Sequence, residues 1–535
     1  MPERERRWNA WGFEGESFPV PEAARAWLTG RVGPGEPLPA VAEADVEVPP
    51  AQPLPAMPIA TVTDRAVRLR HACGHSFPDL VALRTGTGIA FPDAVSFPES
   101  TTEVAELLRA ASAAAVAVVP RGGGTSVVGG VSVVPRSRPT VVLSLARLGG
   151  LVALDAGSRL ATFRAGTLGP EVEAALGPHG LRLGHEPQSF ELSTVGGWVA
   201  TRSAGQRSTG IGKIEELVAG VELATPAGVW RLAALPGSAA GPELRRLVMG
   251  SEGRLGVITE ATLRVRAVAE CEDGLAVLLP GWAAGQEVCR RILQDGVPVE
   301  VLRLSDPEET SFAMTLASLS PLAARASRVL FGLRRYRQGC LLLAGWTGSA
   351  QEVALAEQTA ARLWRAAGGV ALGRAGWRRW RADRFRHPYL RDTLLSAGWG
   401  VDTLETAAPW SRLEAVYGDV REGLRRAGEG LGFRVAVGCH LSHAYRDGAS
   451  LYFTFFWPLA RGRERNQWRA LKQAATEALL SAGGTLSHHH GVGRLHVAYL
   501  EREVGRSGAA ALAALARALD PGGVLNPGVL LPEDA

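Results

Sequence analysis

Apolar residues recur along this chain with two alternating periods. In TTEVAELLRAASAAA (101–115) they fall at helical spacing behind Ser100, a residue type that caps helices. VAVVP (116–120) follows as an unbroken apolar run, which predicts a buried strand, and RGGGTSVVGG (121–130) predicts a glycine-rich loop. VVLSLARL and ATFRAGTL predict strands, and GPEVEAALGPHG a short helix stopped by glycine. Short strands and glycine turns keep alternating to about residue 267, which predicts one α+β unit built round glycine loops. From about 270 to 475 the pattern lengthens. Arg/Ala/Leu-rich helical stretches (SAQEVALAEQTAARLWRAAGG, SRLEAVYGDVREGLRRAGEGLG) alternate with strand runs (QGCLLLAGWTG, ASLYFTFFW), which predicts an antiparallel sheet with helices on one side. A last helix, RNQWRALKQAATEALLSAGG, leads into SHHHGVG and a short C-terminal tail. Residues 30–60 are proline-rich and aperiodic, and read as a linker or extended arm.

Composition narrows the class. A chain of 535 residues holds more than one core. With 46% hydrophobic and 21% charged residues it is globular rather than disordered. Its 64 Gly and 33 Pro follow no period, which excludes collagen and indicates many tight turns. A net charge of +5 makes no case for nucleic acid. All basic residues but Lys213 and Lys472 are Arg, a bias read first as codon usage or heat adaptation. The five Cys are scattered without CxxC spacing, so neither a disulfide framework nor a zinc finger is expected. The N-terminus has charge but no apolar core of a secretory signal, and no apolar run reaches the roughly 18 residues of a membrane span. The expectation is a cytoplasmic protein, with peripheral membrane contact left open.

The chemistry lies in four small-residue loops between residues 120 and 259. Pro120, Arg121, Gly122, Gly123, Gly124, Thr125 and Ser126 follow the VAVVP strand. Consecutive glycines leave backbone N–H groups free to converge on an anion and remove the Cβ atoms that would block it, so this is a pyrophosphate cradle. It is not the GxGxxG of a βαβ unit, since a strand follows where a helix should start, and no GK[ST] follows as in a Walker loop. The second loop holds Gln188, Ser189, Ser193, Thr194, Gly196 and Gly197. The third holds Thr201, Arg202, Ser203 and Ala204, and the fourth Glu252, Gly253, Leu255, Gly256, Val257 and Ile258. Four such loops suit one long dinucleotide held along its length.

The ordered set PRGGGTSVVGG, STVGGW, TRSAG and GSEGRLGVIT resembles the FAD-binding domain of the vanillyl-alcohol oxidase/p-cresol methylhydroxylase flavoproteins. The resemblance implies FAD, wrapped at its pyrophosphate by the first loop. It also implies non-covalent attachment, because that loop has neither His nor Cys. The fold it implies is α+β: a two-subdomain FAD-binding domain at 85–268 and a substrate (cap) domain with an antiparallel sheet at 269–475. An N-terminal arm (1–84) precedes them, and a C-terminal segment (476–535) returns to complete the site.

Two branches of that family compete. FAD-dependent 2-hydroxyacid dehydrogenases of the glycolate or D-lactate type carry GHxGDGNxH and EHGxG motifs that supply metal ligands. Here His443 survives, but Tyr452 stands at the second His position and His489 at the Glu position, so no metal is expected. The ending LDPGGVLNPGVLLP reads more like this branch. RRWNAWGF, GHEP, HPYLRD, LETAAPW, DGASLYF and GGTLSHHHGVG instead resemble the alkyldihydroxyacetonephosphate synthases, almost end to end. That resemblance implies a transferase of ether-lipid synthesis. It would exchange the acyl chain of acyl-dihydroxyacetone phosphate for a fatty alcohol through a flavin N5 adduct, without net redox change. It casts Tyr452 as general base/acid and Arg391 as the phosphate clamp. Arg303 becomes a further functional arginine, and His185 and Thr194 become active-site and flavin-contacting residues. A phenol needs cationic or hydrogen-bonding neighbours to act as a base near neutral pH, and His488, His489 and His490 can supply them. The partner implied is a lipid-like phosphorylated small molecule, and homodimerisation follows from family habit alone.

Overall fold

The computed structural model describes residues 4–317, 332 and 334–533. Ala94–Ser96, Thr140–Ser144 and Ala117–Arg121 lie parallel in that spatial order, with Thr61–Val62 added antiparallel at the outer edge. Parallel strands are covered on both faces, which is why they read as unbroken apolar runs. Val118, Val119, Val141 and Val142 are fully buried. The helix Thr101–Ala113 makes the crossover, capped by the Ser100 hydroxyl, which accepts the Glu103 N–H at 3.2 Å.

A five-stranded antiparallel sheet follows, in the order Leu151–Asp155, Leu160–Arg164, Val257–Arg264, Val218–Thr225 and Gly228–Leu232. It shares one core with the first layer, where Phe163, Val221 and Trp198 meet Val104, Val118 and Val141.

The third sheet has seven antiparallel strands: Val370–Gly373, Cys271–Leu279, Cys340–Gly348, Val301–Ser305, Ala436–Ala444, Gly448–Pro458 and Trp399–Pro409. Strand alternation gives it two unlike faces. Leu302, Leu304, Cys439, Leu441, Phe453 and Phe455 belong to the core shared with the helices Trp282–Gln294, Ala350–Ala366, Leu413–Gly430 and Glu464–Ser481. The residues between them, Arg303, Ser305, His440, Tyr452 and Thr454, line a cavity on the other side.

Two segments are placed by the structure. The proline-rich stretch, read as a linker or extended arm, packs as an arm. Leu38 and Val46 are buried, and Arg84 Nε donates to the Leu38 carbonyl at 3.1 Å. The C-terminus is not a short tail: a helical segment, Leu500–Leu519, kinked at Gly505, follows the three histidines. Gly505 and Gly508 interrupt its pattern, which hid it. Beyond it Leu525 bridges Val118 in parallel, so the end of the chain extends the first sheet. No helix among the described residues is long and apolar enough to cross a membrane.

Candidate active site

A cavity of about 1070 Å³ lies between the glycine loops and the open face of the seven-stranded sheet. Common small-molecule pockets hold roughly 300–1,000 Å³, so this one has room for a long cofactor and a second ligand. One wall is made of Pro120, Arg121, Gly122, Gly123, Gly124, Thr125 and Ser126 with Gln188, Ser189, Ser193, Thr194, Gly196 and Gly197. Thr201, Ser203, Ala204, Glu252, Gly253, Gly256, Val257 and Ile258 complete it. A Cβ on Gly123 would stand 1.8 Å from the Leu192 carbonyl oxygen, so only glycine lets these two loops meet. Among the described residues, the backbone N–H groups of Gly123, Gly124, Thr125, Ser126 and Val127 have no acceptor. Consecutive unpaired N–H groups on a concave wall await an anion. Thr194 caps the helix Val195–Thr201, its Oγ1 accepting the Gly197 N–H at 3.3 Å. Glu252 accepts the N–H groups of Val492 at 2.7 Å and Gly493 at 2.8 Å, and burial, working against those two bonds, pushes its carboxyl up to about 7.

Four residues singled out from the sequence lie outside this wall. Arg202 turns outward, half-exposed, and makes a two-pronged pair with Glu215 at 2.8 and 3.1 Å. Leu255 is drawn into the apolar cluster under the C-terminal helix, with Leu500, Ala516 and Val529. His185 is fully buried; its Nε2 meets Ser203 Oγ at 2.7 Å and its ring stands edge-on to Trp198. It buttresses two lining residues instead of facing the cavity, and burial pushes it down to about 3. His488 is held on the far side of its loop, where its Nε2 meets the Tyr445 hydroxyl at 2.6 Å and its carbonyl accepts from Lys213 at 2.6 Å.

Tyr452, His489, His490, Arg391 and Arg303 all line the cavity. Ser305, His440, Tyr452 and Glu405 stand opposite one another in one row across four strands. His440 stacks on Tyr452, ring centroids 4.9 Å apart. His489 and His490 approach the same phenol with centroids at 6.1 and 5.7 Å. Glu405 holds their loop: it accepts from the Ser487 hydroxyl at 2.7 Å, from the His490 N–H at 2.8 Å, and from the N–H groups of His488 and His489. Its oxygens also lie within 4.8 Å of imidazole nitrogens of His488 and His489, a metal-like grouping, but its lone pairs are committed to holding the loop. Arg303 is not a free cation. It donates to Glu309 at 2.6 Å and reaches His440 Nδ1 at 3.1 Å. Arg391, on the helix Tyr389–Ser396, donates to the His75 carbonyl at 2.5 Å and meets no carboxylate among the described residues.

Burial sets the protonation of this end. It pushes the Tyr452 phenol up to about 12, His489 down to about 3 and His387 down to about 4. The cationic setting expected for Tyr452 is therefore weakened on the imidazole side: burial lowers His440, His489 and His490 alike, and His489 is neutral at neutral pH. Burial also opposes charge on Glu309, but His440 and Arg303 outweigh it and hold the carboxyl down to about 2. Glu405, Glu309 and His440 escaped the sequence reading. Glu405 stood within a quoted motif, and an acid in a strand that buries both neighbours was the available signal.

Comparison with known proteins places this geometry. The family described as "FAD binding domain" matches residues 92–233, and "FAD linked oxidases, C-terminal domain" matches residues 272–530. A solved p-cresol methylhydroxylase shares the fold at TM-score 0.66, with 12% identity over 89% of this chain and 94% of that one. A solved alkyldihydroxyacetonephosphate synthase superposes at TM-score 0.84, with 26% identity over 98% of both chains. The alkyldihydroxyacetonephosphate synthase of Dictyostelium discoideum is 32% identical over 476 residues, 88% of this chain and 78% of that one. The unpaired N–H groups and the Cβ-free approach at Gly123 fit the pyrophosphate of FAD, the cofactor these families bind. With its glycine wall, its Tyr452 row and this extent of identity, the chain belongs to the alkyldihydroxyacetonephosphate synthase family of FAD-dependent enzymes.

Proposed function

We propose that this protein exchanges the acyl chain of an acyl-dihydroxyacetone phosphate for a fatty alcohol, as an alkyldihydroxyacetonephosphate synthase. One juxtaposition carries the reading: Tyr452, His489, His490 and an Arg391 that meets no carboxylate among the described residues face the same cavity as the flavin loops. When bound, FAD supplies an electron sink beside the reacting carbon. The side chains bind, orient and move protons. The planar guanidinium of Arg391 matches a phosphate, and its bond to the His75 carbonyl fixes the head. Removing a proton next to a ketone needs a base, and a buried phenol near 12 is not ionised at neutral pH. Tyr452 therefore acts as a relay, passing its own proton towards His490 as it takes one from the substrate; burial lowers that imidazole and the Glu405 carboxylate beside it raises it. Trp27, Phe312, Leu394, Val401 and Phe456 make an apolar end of the cavity that suits an alkyl chain.

The same reading includes contact with a membrane surface, where such substrates reside, and a homodimer. Vesicle co-sedimentation and light scattering test these. For the reaction itself, acyl-dihydroxyacetone phosphate is added anaerobically to oxidised holoprotein. The flavin band should bleach as fatty acid is released, and a fatty alcohol should restore it without an electron acceptor. Bleaching by D-lactate or glycolate that reverses only with an electron acceptor would replace the reading with a 2-hydroxyacid dehydrogenase.

A further inference from the structure

The loop that presents the histidines is suspended between two buried carboxylates from different sheets. Glu405, on the seven-stranded sheet, holds Ser487 and the N–H groups of His488, His489 and His490. Glu252, just before the Val257–Arg264 strand of the five-stranded sheet, holds the N–H groups of Val492 and Gly493. The fit around Glu252 is close. A Cβ on Gly491 would stand 2.9 Å from its carboxylate, and one on Gly493 would stand 2.1 Å from the Val128 carbonyl. Asn526 ties the assembly from behind, donating to the carbonyls of Glu252 at 2.7 Å and Gly130 at 2.8 Å. Yet Glu252 also lines the cavity on the flavin side. One residue thus forms part of the cofactor wall and, through its carboxylate, anchors the loop that carries His489 and His490.

We propose that Glu252 is a positioning residue that couples the filling of the cofactor cavity to the placement of His489 and His490. Its role in catalysis rests on the proton relay proposed above; its role as an anchor does not. A ligand that packs against the wall restricts the Glu252 side chain, and the two N–H groups it holds lose freedom with it. Such coupling is reciprocal, so an ordered loop also favours the filled cavity. Glu405 secures the other half of the loop independently, which localises the coupled motion to residues 491–493.

Hydrogen–deuterium exchange of the peptide covering residues 487–495, in apoprotein and FAD-loaded protein, tests this. In the wild type, FAD should slow exchange of this peptide. In Glu252→Gln, which keeps the size but turns one acceptor into a donor, the FAD-dependent slowing should vanish and apoprotein exchange should quicken. Gly491→Ala, which intrudes on the same carboxylate from the loop side, should reproduce both changes. Turnover by Glu252→Gln should fall up to about a hundredfold in kcat with KM unchanged, because a misplacement near 1 Å costs that much. Equal FAD-dependent protection in wild type and Glu252→Gln would overturn the proposal, as would equal exchange of the two apoproteins. A wild type without synthase turnover would remove the proposed function while the exchange comparison still decides the anchor.

Discussion

The two walls of the cavity are built from different materials. The wall proposed for the flavin is mostly backbone: N–H groups at Gly123–Val127 with no acceptor among the described residues, reached because Gly123 has no Cβ to strike the Leu192 carbonyl. The wall proposed for the substrate is side chains: Ser305, His440 and Tyr452 in one row, Arg391 from a helix, and His489 and His490 from a loop between helices. Backbone recognition needs small residues in contiguous runs. Side-chain chemistry needs only a few groups brought to one point from anywhere in the chain. A substitution on the first wall should therefore remove the cofactor, and one on the second should spare it and remove the reaction.

The harshest break of that contrast is Gly123→Ala. A methyl 1.8 Å from a carbonyl oxygen forces the two loops apart, and the purified protein should lack its flavin absorbance band. An Ala variant with full flavin content would show that the cradle is not built by close approach. Tyr452→Phe probes the opposite wall. It should keep flavin content while synthase turnover falls roughly 10²–10⁴-fold, the usual share of a proton-transfer group. Loss of flavin along with turnover would erase the distinction between the walls.

The substrate wall also carries its own pH signature. Glu309 is held down to about 2 from a usual 4.5, so its stabilisation is complete above 4.5 and is lost as pH falls towards 2. Denaturant melts between pH 5 and 3.5 should show stability falling with pH, and Glu309→Gln should be weaker at pH 5 but flatter across the range. An unchanged slope would mean that the Arg303–Glu309–His440 cluster is not coupled to folding. The smallest effect is expected of Arg202→Ala, since Arg202 sits in a flavin motif yet points to solvent and pairs with Glu215. Neither residue of the pair lines the cavity, so FAD affinity measured by fluorescence titration should stay within about twofold of wild type.

Legibility in the sequence followed the same division. The flavin loops were readable as contiguous glycine and small-residue runs, and their composition states their purpose. The buried valine strands before them were readable for a similar reason, since a parallel sheet shows unbroken apolar runs. Arg202 and Leu255 share those motifs but not that wall, because a motif records order along the chain and not the direction of each side chain. The helical segment Leu500–Leu519 was missed because two glycines break its pattern; Gly505 does interrupt the helix, with φ 73° and ψ 164°, while the turns after it run on past Gly508 and pack with Leu255 and Val529.

From the sequence alone came the α+β class, the FAD cradle, the branch of the family, and a short set of side chains that includes Tyr452 and Arg391. Local composition and the order of motifs carry that information without reference to distance. Tertiary structure alone decided which of those side chains meet. It turned His489 and His490 towards Tyr452 and His488 away, committed Arg303 to Glu309 while Arg391 donates to the His75 carbonyl, and brought Glu405 and Glu252 to opposite ends of one loop. It also set their charge states, because burial is a property of the fold: the same imidazole that would titrate near 6.5 in water is neutral here down to about 3.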